Sequence, residues 1–375
     1  MYLDYNASTA PDPEVVAAMM DALAEGAGNP SSGHEPGRRA ARAVESARPE
    51  VASILGAHPD EIVFTSGGTE SNNHVLKGLF HRAHGRPHFV TSAIEHPSII
   101  EPCRFLERLG ARVTYLPVDR SGRVSPDDVA DAIDDDTVLV SVMHANNETG
   151  TIQPIREITA VARERGVLVH TDAAQSVGKI RTDVRELGVD LLSLAGHKLH
   201  GPKGVGALFV RRGVELEPLL HGGGHEAGRR SSTEAVPVIA GLGAACRVAE
   251  SWIDSETIRS RRDQLWHGLR ELLGEKVRVN GDPGARLPNT LHVSLLGEDA
   301  SAILDRIPEL AASTGSACHT GSEAPSGVLG AMGLGMDEAR GALRLSVGRW
   351  TTEEEVEYAV ERLARAVEAA PSMPR

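Results

Sequence analysis

Val167-Leu168-Val169-His170-Thr171-Asp172-Ala173-Ala174 (VLVHTDAA) decides the fold class. Its apolar, β-branched body lacks the alternation of a strand with one wet face. It therefore reads as a strand buried on both sides that ends on a carboxylate. Similar runs recur at 61–66 (EIVFTS), 88–93, 112–118, 138–143, 191–195 and 205–210. Helical patterns lie between them at 69–83, 97–109, 125–134 and 154–165. Ser125-Pro126-Asp127-Asp128 supplies a capping hydroxyl, a proline at the first helical position and acids in the first turn. Strand and helix alternating in this way predict an α/β fold: a mainly parallel seven-stranded sheet with helices on both faces.

After HGGGHEAGRRSST (221–233) the pattern changes. A long helical region at 234–273 leads away from the sheet. A strand at 290–295, a helix near 299–307, the stretch STGSACHTG (313–321), a strand at 342–347 and a helix from Glu353 follow. They predict a smaller α+β domain, made of residues 1–12 and 251–375 and carrying the Cys318 loop, beside a large domain at 13–250. A chain of 375 residues is long enough for both.

The formal net charge of −13 opposes nucleic acid and anionic membranes, whose phosphates it would repel. No apolar run approaches the roughly 20 residues of a membrane helix, and the N-terminus has no basic start or apolar stretch of a secretory leader. Cys103, Cys246 and Cys318 are odd in number and lack CxxC spacing, which argues for a reducing compartment. A cytoplasmic protein is expected. The histidines lack cysteine or carboxylate companions at ligand spacing, so no metal site is expected.

In parallel α/β sheets ligands bind beyond the carboxyl ends of the strands, and the residues there are chemically specific. FTSGGTESNN (64–73) places two glycines and Thr69 at a helix N-terminus, where backbone N–H groups can hold phosphate. TSAIEHPS (91–98) places His96 at the next strand end, able to stack on a ring or move a proton. MHANNETG (143–150) brings Asn146 and Asn147, amides that can bind a carboxylate or phenolic oxygen. HTDAAQ (170–175) brings Asp172, and GHKLHGPKG (196–204) brings Lys198 beside His197. A buried carboxylate needs a cationic partner, and a lysine can form a Schiff base. Each has a plain alternative, such as a cap, a salt bridge or a solvated charge. Together they make the set that pyridoxal 5′-phosphate needs: an anion cradle, an imidazole, an amide, an acid for the pyridine nitrogen and a lysine.

YLDYNAST, GNPSS, TSGGTESNN, EHPS, NNETG, HTDAAQ, GHKLHGPKG, HGGGHE, GSACH and ALRLSVGR fall in order along the chain. They resemble the cysteine desulfurase and selenocysteine lyase family, pyridoxal-phosphate enzymes of fold type I related to class V aminotransferases. The resemblance implies that Lys198 bonds the cofactor and moves protons, and that Asp172 pairs with the pyridine nitrogen. Gln175 would bind the phenolic oxygen and His96 would stack on the ring and assist proton transfer. Gly68, Thr69 and His197 would hold the phosphate. In a homodimer Thr233 would reach the partner's cofactor. Asn147 and Arg344 would bind the substrate carboxylate, and Cys318 would take the sulfur as a persulfide for an unidentified acceptor protein. The implied substrate is L-cysteine; alternatives are L-selenocysteine, or an idle scaffold that docks a sulfur acceptor. Ala195 stands where the family's desulfurases usually carry a phosphate-binding serine, and Ser232 where a glycine is usual before the threonine. Cys103 and Cys246, in helical stretches, read as core thiols.

Overall fold

The computed structural model describes residues 1–26, 28–314 and 326–369. In chain order these form α1 (Pro13–Ala24), α2 (Glu35–Leu55), β1 (Ile62–Thr65), α3 (Gly68–Arg82), β2 (His88–Ser92), α4 (Pro97–Arg108), β3 (Arg112–Leu116), α5 (Pro126–Ala132), β4 (Thr137–Ser141), α6 (Ile155–Glu164), β5 (Leu168–Asp172), α7 (Val184–Leu187), β6 (Leu191–Ala195) and β7 (Gly206–Val210). They continue as α8 (Val236–Glu250), α9 (Glu256–Leu273), β8 (Val277–Val279), β9 (Thr290–Leu295), α10 (Ala300–Asp305), β10 (Ser313–Thr314), α11 (Gly327–Ala331), α12 (Met336–Arg340), β11 (Ala342–Ser346) and α13 (Glu353–Glu368).

The first seven strands make one sheet in the order β1-β7-β6-β5-β4-β2-β3. Neighbours from β3 to β6 pair in parallel, and only β7 runs antiparallel to both of its neighbours. In the strands inside the sheet, successive residues bury on opposite sides, whereas the edge strand β3 is only half-buried. Val63, Phe89, Leu139 and Leu191 pack with Val75 and Ile99 of α3 and α4. Phe64, Val90, Val140 and Leu192 pack with Val51, Ile158 and Leu242 of α2, α6 and α8. Two apolar faces explain why these strands do not alternate in sequence. Each buried side chain of this size stabilises by about 1.5–3 kcal/mol, an upper bound against an extended chain.

The second sheet, β10-β11-β9-β8, is antiparallel. Leu291, Val293, Leu343 and Leu345 pack there against Leu265 and Leu269 of α9 and Val356 and Leu363 of α13. The N-terminus reaches the same sheet through bridges from Tyr2 to Ala311 and from Asp4 to Ser346.

The helical region expected at 234–273 is made of two helices, α8 and α9. Chain direction changes between α8 and α9, where Asp254 adopts φ 53° and Ser255 caps α9 by accepting from the Ile258 N–H. The sequence pattern also does not single out α1, α2 or β8. In α2 the prolines at 36 and 49 and the many arginines look like helix breakers and loop, yet Val44, Ala47, Val51 and Leu55 are buried in the core. Tertiary packing overrides local preference there. Cys103 and Cys246 are free, buried thiols. No helix among the described residues is long and apolar enough to cross a membrane.

Candidate active site

The carboxyl ends of β1, β2, β4, β5 and β6 surround a cavity of about 160 Å³. It is lined by Gly68, Thr69, His96, Asn147, Asp172, Gln175, His197 and Lys198, with Ser98, Met143, Ala145, Ala174 and Ala195 between them. These residues come from five separate stretches, and the parallel topology alone brings them together.

One wall is the turn between β1 and α3. Gly67 there has φ 147°, a conformation that side chains disfavour. On β7, a Cβ at Gly206 would come within 2.7 Å of the Gly67 Cα, so the strand must be bare where the turn crosses it. The turn ends on the free N–H groups at the start of α3, beside the exposed Thr69 hydroxyl. Such a terminus attracts phosphate through its aligned peptide dipoles. Ala195 lies next to Gly68, its Cβ 3.7 Å from where a Gly68 Cβ would sit, and adds no hydroxyl.

At the floor, Asp172 is buried with both oxygens partly used. Oδ1 accepts the Ala174 N–H at 2.9 Å and Oδ2 accepts from Asn72 Nδ2 at 2.7 Å. No cation among the described residues pairs with it. The Asn72 amide also donates to the Ser98 hydroxyl, which lies 2.8 Å from His96 Nδ1. His96 caps α4, its Nδ1 accepting the Ser98 N–H at 3.1 Å, which leaves the ring proton on Nε2. Burial lowers the His96 pKa, with Asp172 opposing and Lys198 adding, so the ring is neutral. Glu95, next in sequence, is buried and its pKa rises to about 8 because of that burial. Its Oε1 accepts from the Ser92 hydroxyl and the Met143 N–H, tying β2 to the end of β4.

Opposite Asp172, Lys198 sits in the turn after β6. Its Nζ donates to the carbonyls of Asn6 at 2.5 Å and Ala7 at 3.0 Å. Burial first, then Arg344, lowers its pKa from 10.5 to about 8, against Asp172 and Asp4. Gln175 Nε2 donates to the same Asn6 carbonyl at 2.9 Å. His197 lies 3.3 Å from the Ser8 hydroxyl, and burial brings its pKa down to about 4.

The rim toward the second sheet is less expected. Arg344 of β11 donates to the Asn147 carbonyl at 3.0 Å, to Asp4 at 2.8 Å and to the Ser313 hydroxyl at 2.8 Å. Its fork lies outside the cavity lining and is held by Asp4, with Nε buried and unpaired. Asn146 stands apart from the cavity: it is a buried turn residue whose Oδ1 accepts the N–H groups of Glu148 and Thr149. Thr233 is exposed and does not line this cavity; its segment is tied to α3 by the ion pair of Arg230 with Glu70. Cys318 lies outside the described residues. Sequence reasoning assigned nothing to Asn72, Asn6, Asp4 or Lys179. The first three sit inside quoted motifs, so their place in those motifs was the available signal.

The donor set fits pyridoxal phosphate. A helix N-terminus for an anion, a buried carboxylate without an ion pair among the described residues, a neutral histidine and a lysine of lowered pKa converge on one cavity. The comparisons agree. Residues 1–359 match the family model described as "Aminotransferase class-V". A relative from Dictyoglomus turgidum named "Cysteine desulfurase IscS" is 45% identical over 373 residues, 98% of this chain and 94% of the relative. A solved structure titled "NIFS-LIKE PROTEIN" superposes with a TM-score of 0.92 at 37% identity, covering 98% of this chain and 99% of that one. Another, "SspA in complex with cysteine", gives 0.83 at 39% identity over 94% and 99%. Motifs, fold, cavity and relatives converge: the chain belongs to the class-V aminotransferase family, alongside its cysteine desulfurases.

Proposed function

We propose that the protein is a pyridoxal-phosphate-dependent cysteine desulfurase that converts L-cysteine to L-alanine and takes up the sulfur on Cys318 as a persulfide. The observation that carries this reading is the buried, ion-pair-free Asp172 facing Lys198 across a cavity closed by a helix N-terminus.

When bound, the cofactor supplies a ring that accepts electrons and makes the substrate's α-proton removable. Asp172 would hold a proton on the ring nitrogen through its remaining lone pairs, while Asn72 and the Ala174 N–H keep the carboxylate aimed. Gly68, Thr69 and His197, which line the cavity, would hold the phosphate, and Gln175 would meet the phenolic oxygen. Lys198, whose pKa is lowered from 10.5 to about 8 so that a minor but usable fraction of its Nζ is unprotonated near neutral pH, takes the substrate's α-proton and returns it. His96 would cover the ring with a neutral imidazole, its Nε2–H left to assist that transfer. Asn147 and Arg344 bind the substrate carboxylate, and the Arg344 fork exchanges Asp4 for it.

The Cys318 thiolate then attacks the substrate sulfur. An S–S bond forms, the substrate's C–S bond breaks, and its electron pair goes to the alanine carbon, which takes up a proton. A homodimer in which Thr233 reaches the partner's phosphate, a cytoplasmic location and a protein sulfur acceptor belong to the same reading. So does the division into 13–250 and 1–12 with 251–375.

The test is alanine release from L-cysteine by the cofactor-loaded protein, with L-selenocysteine in parallel. Turnover of cysteine that disappears in Lys198→Ala supports the reading. A loaded enzyme that releases no alanine from L-cysteine overturns it.

A further inference from the structure

Lys179 lies just beyond the HTDAAQ motif and has no assigned role. Its Nζ donates to Gln175 Oε1 at 2.9 Å and to Asn6 Oδ1 at 3.3 Å, two neutral amide oxygens. No carboxylate pairs with it among the described residues. A buried-edge lysine that faces only amides is unusual, because ammonium groups normally find an anion or water.

The local chain is built to bring it there. After Asp172 the backbone turns through Val177 N–H to Ala173 O at 3.1 Å and Lys179 N–H to Ser176 O at 3.0 Å. Gly178 takes φ 76°, and a Cβ there would press on Ala249 at 3.0 Å and Leu199 at 3.2 Å. The Lys179 carbonyl accepts the Asp254 N–H at 2.9 Å, so the turn is pinned from outside as well.

We propose that Lys179 is a positioning residue for the cofactor: it holds the Gln175 amide with its oxygen turned away and its N–H groups turned to the Lys198 side. The two ends of an amide are alike in shape, so hydrogen-bond partners decide which way it points. Lys179 presents donors to Oε1, and the Asn6 carbonyl, which only accepts, takes one Nε2 hydrogen. The second Nε2 hydrogen is left for the phenolic oxygen of the cofactor. Burial, with Lys198 and Arg344 adding, lowers the Lys179 pKa well below its ordinary value, but the amine keeps N–H donors in either state.

This rests on the proposed cofactor, and the test separates the two. The readout is the pH midpoint of the visible band of the cofactor-loaded protein, without substrate. Removing the fixed donor leaves the phenolic oxygen more basic, so it holds the neighbouring proton more tightly. Lys179→Met, which keeps the straight side chain, is expected to raise the midpoint by about 1 pH unit. Lys179→Ala is a second removal of the donor, and Lys179→Arg, still a pure donor, is expected to restore the wild-type midpoint. In a Gln175→Ala background Lys179→Met is expected to move the midpoint no further. An unchanged midpoint in loaded Lys179→Met, or an equal rise in the Gln175→Ala background, overturns the inference. A wild-type protein with no visible band overturns the cofactor reading instead.

Discussion

The floor of the cavity and its rim on the second sheet are built by different means. The floor, from Gly68 to Lys198, comes from strand ends, each bearing its chemistry within a few residues of the strand that positions it. The rim depends on the N-terminal segment. Asn6 receives Lys198 across 192 positions of chain and Gln175 across 169, and Asp4 meets Arg344 across 340. Asn6 is also held by Thr290 and Asn289 of the second unit, and by the Ser346 hydroxyl. Lys198 is thus placed by one part of the chain and tethered by another. Chemistry is local in sequence, while its alignment is long-range.

Substitutions in the floor should lower turnover, and those in the rim should change binding and stability. Lys198→Ala is expected to reduce alanine release by about 10³-fold if, as proposed, it removes the group that moves the α-proton. Asp172→Asn should lower kcat by on the order of 10²-fold, with folding intact, because the shape survives and the charge does not. On the rim, Arg344→Ala should raise KM for cysteine by about 10–100-fold with a smaller change in kcat, the value of a charge-assisted hydrogen bond. A loss confined to kcat would place Arg344 in the floor's chemistry instead.

Asp4→Asn should lower unfolding stability in urea by about 1–3 kcal/mol, because it leaves the mostly buried Arg344 fork without its anion. Acid provides a last contrast. Burial lowers His144, His170 and His200 to about 4, from an ordinary 6.5. Between those values the unfolded chain binds more protons than the folded one. Stability is therefore present above 6.5 and is lost as pH falls toward 4. Urea midpoints across that window, with net proton uptake on unfolding, check it.

The same division explains what could be read from the chain. Six of the seven strands of the large sheet were legible because they are buried along nearly their whole length, with only β3 half-buried, and β6 spans 191–195 as the pattern indicates. The floor residues were legible as neighbours of those strands. Asn72 was not, because its work is to aim Asp172 from 100 positions away. Asn6 and Asp4 sit in a quoted motif, but nothing local says that the N-terminus closes against β11. The break between α8 and α9 was hidden because both flanks are good helix, and the short turn at 251–255, with Asp254 at φ 53°, carries no strong breaker. Lys179 was missed because its contact with Gln175 requires the left-handed turn at Gly178.

The most direct measurement follows the sulfur. Cofactor-loaded protein is mixed with L-cysteine in the absence of any acceptor, and alanine and intact protein mass are recorded together. The expected result is one alanine per chain in the first turnover and one added sulfur atom, on the peptide that contains Cys318. Sustained alanine release by Cys318→Ala at the wild-type rate, or alanine without sulfur on the protein, would contradict it.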